Sequence, residues 1–108
     1  MDCSQLYIST VSAGCDETAA RYGLGLEIAE YCTAANLDAP IPEEVTAAQC
    51  HRQAAKRFVF HAPFNELCPA AIDPLAVSLA RHRYAQALAA AQDWGCRLLV
   101  VHTGFIPW

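Results

Sequence analysis

Phe58-Val59-Phe60-His61 and Leu98-Leu99-Val100-Val101-His102 decide the fold. Each is a short, almost unbroken apolar run that ends in a histidine, with a turn former, Pro63 or Gly104, close behind. Strands that are apolar without alternation are covered on both faces, as in a parallel sheet flanked by helices. A crossover helix must then lie between the two runs, and the sequence supplies it. Asp73 is placed to cap it and Pro74 to fill its first turn. Val77, Ala80, Tyr84, Ala87, Leu88 and Ala91 recur at helical spacing as its buried face, Ser78, Arg81, Gln86 and Asp93 face water, and Gly95 ends it.

The same alternation runs back toward the amino terminus. Leu6 to Thr10 reads as a first strand, and Asp16 as the cap of a short helix that Gly23 terminates after Tyr22. Leu24 to Glu30 reads as a second strand. A linker with Pro40 and Pro42 follows, and then a helix from Pro42 to Lys56, its opening acids Glu43 and Glu44 against the positive end of the dipole and Lys56 and Arg57 at its carboxyl end. Ala62 to Ile72 is a loop long enough to suggest function. The order is β-α-β-α-β-α-β, one α/β domain over residues 1–108 with a parallel sheet.

Composition narrows the classes. Hydrophobic residues make up 55% and charged residues 17%, which calls for a packed core. A formal net charge of -4 argues against a non-specific nucleic-acid or anionic-membrane surface. No apolar run approaches the ~20 residues of a membrane span, and Leu98–Val101 is strand-sized. Met1-Asp2-Cys3-Ser4 lacks the basic and apolar regions of a signal peptide, so a cytoplasmic location is expected. The six cysteines form no CxxC pair and are irregularly spaced, so free thiols, buried or semi-buried, are expected rather than disulfides or a thiolate cluster. No phosphate-binding glycine loop, HExxH helix or Gly-x-Ser-x-Gly elbow occurs.

Ligands of parallel α/β proteins collect at the carboxyl ends of the strands. His61 and His102 both sit there. On neighbouring strands ~4.8 Å apart, the two imidazoles either hydrogen-bond separately within polar strand ends or reach one divalent ion through bonds of ~2.0–2.2 Å. Glu27 and Glu30 both belong to the second strand and point to opposite sides of it, so only one faces the pocket. Glu30, nearer the strand end, is the preferred carboxylate, and either acid otherwise forms a salt bridge to a helix. Ser9 and Thr10, and Asn65 and Glu66 in the long loop, are placed to hydrogen-bond a substrate hydroxyl. His51 and His82, beside Arg52 and Arg83, are expected to be solvated, and Arg81-His82-Arg83 is read as an exposed helix face.

His61-Ala62-Pro63-Phe64-Asn65-Glu66 after a buried strand resembles the third-strand motif of the xylose isomerase-like TIM barrels, a superfamily of sugar-phosphate isomerases and epimerases and apurinic endonucleases. Val100-Val101-His102-Thr103-Gly104-Phe105 is similar to its fourth-strand motif, and Leu6–Thr10 and Gly25-Leu26-Glu27-Ile28 fit its first and second strands. The resemblance implies half of a (β/α)8 barrel, because a complete one needs eight strands and about 250 residues. It also implies His61 and His102 as ligands of a divalent metal (Mn, Zn or Mg) or as substrate contacts, and carries over no other residue; Glu30 is a candidate catalytic carboxylate from its place near the strand end alone. The implied chemistry is metal-assisted isomerisation of a sugar or sugar phosphate, a small-molecule substrate. The fifth-strand glutamate and the later ligands are not in the sequence, so little or no turnover is expected from these residues alone: a truncated product, a fragment, or one half of a split gene. The alternative is a non-catalytic half-barrel that forms a homo-oligomer or complements a partner half through its exposed strand edges.

Overall fold

The computed structural model describes residues 2–104. Phe105, quoted in the fourth-strand motif, lies outside the described residues. Four strands, β1 (Tyr7–Ser9), β2 (Gly25–Ile28), β3 (Phe58–His61) and β4 (Leu99–Val100), form one parallel sheet in the order β1-β2-β3-β4. Between them lie α1 (Cys15–Tyr22), a short 3-10 turn (Glu30–Cys32) with the one-turn helix α2 (Ala35–Asp38), then α3 (Pro42–Ala54) and α4 (Pro74–Asp93). The α/β architecture with a parallel sheet expected from the sequence is therefore present.

Register shows how the sheet divides its two faces. Ile8 pairs with Leu26 and Leu26 with Phe58, while Ile28 pairs with Phe60 and Phe60 with Leu99. Those side chains share the helix side, where they pack with Ala19 of α1, Ala55 after α3, and Ala87, Ala91 and Trp94 of α4 and its end. Phe60, Leu26 and Ile28 are completely buried, each contributing about 1.5–3 kcal/mol relative to an exposed position. Period-two alternation puts Ser9, Glu27, Val59, His61 and Val100 on the opposite face. That face would line the interior of a closed barrel.

Local chemistry explains most boundaries. The Asp73 side chain accepts from the Leu75 backbone N–H at 2.9 Å, and Pro74 occupies the first turn of α4. Gly25 has no Cβ, and one placed there would collide with the Tyr7 ring lying across it. Gly104 adopts φ 84°, and a Cβ would sit 2.8 Å from the Leu67 carbonyl oxygen, so the chain leaves β4 by a path only glycine permits easily.

Several expectations shift. Asp16 lies inside α1, whose N-cap is Gly14 in the left-handed region, so its side chain does not cap the helix. β2 stops at Ile28, and the expected linker holds the 3-10 turn and α2. Leu88, expected on the buried face of α4, is 51% exposed; small alanines carry that face instead. α3 ends at Ala54. Arg57 does not cap it but donates to the carbonyl oxygens of Cys3 (3.1 Å), Gly23 (3.0 Å) and Ser4, pinning the amino-terminal segment to the start of β2 and β3.

All six cysteines are free thiols. Among the described residues, no helix is long and apolar enough to cross a membrane.

Candidate functional site

His61 ends β3 and His102 follows β4 by two residues, so the parallel pairing of those strands carries both imidazoles to one rim of the sheet. Their Nε2 atoms are 3.0 Å apart and their ring centroids 4.9 Å apart. Phe64, at the start of the following loop, lies against both rings at 5.5 and 4.9 Å. The Tyr84 hydroxyl of α4 donates to the His102 carbonyl oxygen at 3.0 Å, which ties the residue to the crossover helix.

The other nitrogen of His61 sets its tautomer. Nδ1 is 2.8 Å from the Ala62 carbonyl oxygen, a group that only accepts, so Nδ1 carries the proton and Nε2 presents its lone pair toward His102. Metal-binding histidines are commonly oriented in this way, the far N–H held by a carbonyl or carboxylate. Cys32 Sγ also lies 3.1 Å from Nδ1. Burial pushes the Cys32 thiol up to about 11, with Glu27 and Glu30 adding to the effect, so at neutral pH it is a thiol and not a thiolate nucleophile.

A cavity of about 530 Å³ opens beside the rim, lined by Phe64, Asn65, Glu66, His102, Thr103 and Gly104. Asn65 and Glu66 thus stand around the same space as His102. Glu66 holds φ 62°, an unusual conformation for a non-glycine residue and one that marks a tightly shaped loop. Ser9 is placed elsewhere. It sits on β1, two strands from β3, with its hydroxyl 3.4 Å from the Val11 backbone N–H.

Glu30 is also placed differently from the expectation. It opens the 3-10 turn after β2, and both its carboxylate oxygens are engaged: one accepts from the Thr10 hydroxyl at 2.9 Å, the other meets His51 Nε2 at 2.7 Å. It does not join the histidine pair. Glu27 shares the sheet face of His61, in register with Val59 two residues before it.

His51 is the residue the sequence reading missed. Its side chain is only 7% exposed, and its Nδ1 meets Asp16 at 2.7 Å while Nε2 meets Glu30. Burial opposes a charge on the ring, but hydrogen bonds and attraction from Asp16 and Glu30 outweigh it and raise its pKa above the ordinary value, favouring imidazolium. The Thr10 hydroxyl completes the network by accepting from the Ala29 backbone N–H at 2.9 Å. One sequence signal pointed there: Ala48, His51 and Ala55 fall on one helical stripe that faces the core, and Arg52 lies off it. His82, by contrast, is exposed as expected.

No family model matches the chain, and no curated protein matches it in sequence. Two solved structures share its fold. The TTHB071 protein from Thermus thermophilus, soaked with ZnCl2, matches 97% of this chain and 41% of its own, with 20% identity and a TM-score of 0.63. A D-tagatose 3-epimerase-like protein matches 96% of this chain and 39% of its own, with 21% identity and a TM-score of 0.67. The likeness shows that the four parallel strands here share the fold of part of these larger proteins. The chain spans about two-fifths of the length of either.

Proposed function

We propose that this chain is the half-barrel portion of a metal-assisted isomerase or epimerase acting on a sugar or sugar phosphate. The observation that carries the reading is the pair of Nε2 atoms 3.0 Å apart at the strand ends, one of them oriented by a backbone carbonyl. That separation is close to the ~3.3 Å expected between two nitrogens on one tetrahedral ion with bonds of ~2.0–2.1 Å. His61 and His102 would hold the ion, Phe64 would shield their rings from water, and Asn65 and Glu66 would contact substrate hydroxyls in the adjoining cavity. A divalent ion bound there supplies polarisation of a carbonyl and its neighbouring hydroxyl. Glu27 is the carboxylate of this chain best placed to act with the pair. A D-tagatose 3-epimerase-like protein among the structural neighbours supports the substrate class, and the ZnCl2-soaked one supports the metal.

Two nitrogens are fewer than the three protein donors usual for a catalytic zinc, so further ligands would come from outside these residues. Zn²⁺ titration followed by imidazole NMR is expected to shift the His61 and His102 ring signals together. The His61→Ala and His102→Ala variants are each expected to bind one equivalent fewer than the unsubstituted chain. Unchanged stoichiometry in both variants would remove the metal reading. A ketohexose or its phosphate is expected to perturb Asn65 and Glu66 resonances, and a titration that leaves them unmoved removes the substrate reading.

A second reading, association with another half-barrel, has its own support. β1 and β4 are open edges, and Tyr7 and Leu98 beside them are 41% and 56% exposed. Sedimentation velocity is expected to show a species twice the monomer mass that grows with concentration; a monomer throughout would count against self-pairing.

A further inference from the structure

Away from the histidine rim, a second set of ligand-type atoms converges where α1, α3 and the turn after β2 meet. Cys15 Sγ, Asp16 Oδ1 and His51 Nδ1 lie within 4.8 Å of one another. We propose that these three atoms bind one borderline-soft divalent cation, of which Zn²⁺ is the type, independently of the His61–His102 pair.

The donor set is the first support. One thiolate, one imidazole and one carboxylate suit zinc and its chemical neighbours, and poorly suit magnesium or calcium. Geometry is the second. On a tetrahedral ion, sulfur and oxygen would stand ~3.6 Å apart and nitrogen and oxygen ~3.3 Å apart for ordinary bond lengths. The Cys15 Sγ to Asp16 Oδ1 distance is 3.8 Å, already close, and the Asp16–His51 contact of 2.7 Å is a hydrogen bond that a small side-chain rotation would open.

The surroundings of the ligands point the same way. Glu30 accepts from the far nitrogen of His51 and is itself held by Thr10, an arrangement that fixes the ring with Nδ1 turned inward. Cys15 is 7% exposed and Asp16 is the most open of the ligands, so an ion would enter past Asp16. The amino-terminal end of α1 opposes a cation there, and the acids Asp16 and Glu17 in its first turn offset that field.

Binding as thiolate and neutral imidazole requires the proton of the Cys15 thiol, and any proton on His51 Nδ1, to pass to solvent.

The test uses the chain carrying both His61→Ala and His102→Ala, which silences the rim. Co²⁺ is expected to bind at one equivalent with a thiolate-to-metal charge-transfer band, and Zn²⁺ to displace it. Protons should be released into weak buffer as the ion binds, and peptide mapping should show Cys15 protected from alkylation. Cys15→Ala should lose the band and bind at least tenfold more weakly, with unchanged circular dichroism. Glu30→Gln should keep the band while affinity falls about 10–100-fold, the range found for partners that orient a ligand histidine. A missing band, or equal affinity in Cys15→Ala, overturns the proposal and leaves the rim site untouched.

Discussion

Replacing His51 with alanine is expected to destabilise the fold by about 3–5 kcal/mol, the usual effect of removing one partner from a buried ionic group. The substitution leaves the carboxylates of Asp16 and Glu30 facing a void with their shared cation gone. It also unlinks α3 from α1 and from the turn after β2, because the imidazole is the group that spans them. Against a total stability of about 5–15 kcal/mol for a domain of ordinary size, that loss should show as a large drop in the urea midpoint. Without added metal, the same residue gives stability a pH dependence of definite sign. The folded-state pKa of His51 is raised above its ordinary value of 6.5, so its contribution is complete below that value and is lost as pH rises through the folded-state pKa. Urea midpoints of the unsubstituted chain are expected to fall over that interval, and those of His51→Gln to lack that component. A midpoint for His51→Ala within the error of the unsubstituted chain would show that the network is not holding the helices.

Phe60→Ala should produce a loss of similar size for a different reason. Phe60 is completely buried at the centre of β3, stacked on Tyr31 with ring centroids 5.2 Å apart and in register with Ile28 and Leu99. Truncating a buried phenylalanine costs about 3–5 kcal/mol through lost transfer energy and the cavity left behind. Leu88→Ala, on the outer side of α4, provides the control: at 51% exposure it should change stability by no more than about 0.5 kcal/mol. Equal losses for the two substitutions would mean that the core has been assigned to the wrong side of that helix.

The sequence revealed the fold where its signals were local. The apolar runs ending in His61 and His102 required only a reading of adjacent residues, and Asp73-Pro74 announces a helix within two positions. That the two imidazoles meet followed from strand order, and the strands are indeed neighbours. What stayed hidden depended on partners distant in sequence. His51 finds Asp16 across 35 positions and Glu30 across 21; no spacing rule encodes either pairing, and the flanking Arg52 suggested solvent. Glu30 is misplaced by a strand reading that runs two residues past Ile28, and in the 3-10 turn its side chain swings toward α3. The alanine-built face of α4 also escaped, since pattern reading favours a large leucine over small residues that allow a helix to approach a sheet closely.

Arg57 imposes an order on how the chain can assemble during synthesis. Its guanidinium gathers carbonyl oxygens of Cys3, Ser4 and Gly23, more than thirty residues upstream in every case. A ribosome adding about 5–20 residues per second would expose the first strand for several seconds before the residue that fastens it has been made. Throughout that interval the segment leading into β1 would present unpaired backbone to chaperones and to neighbouring chains alike.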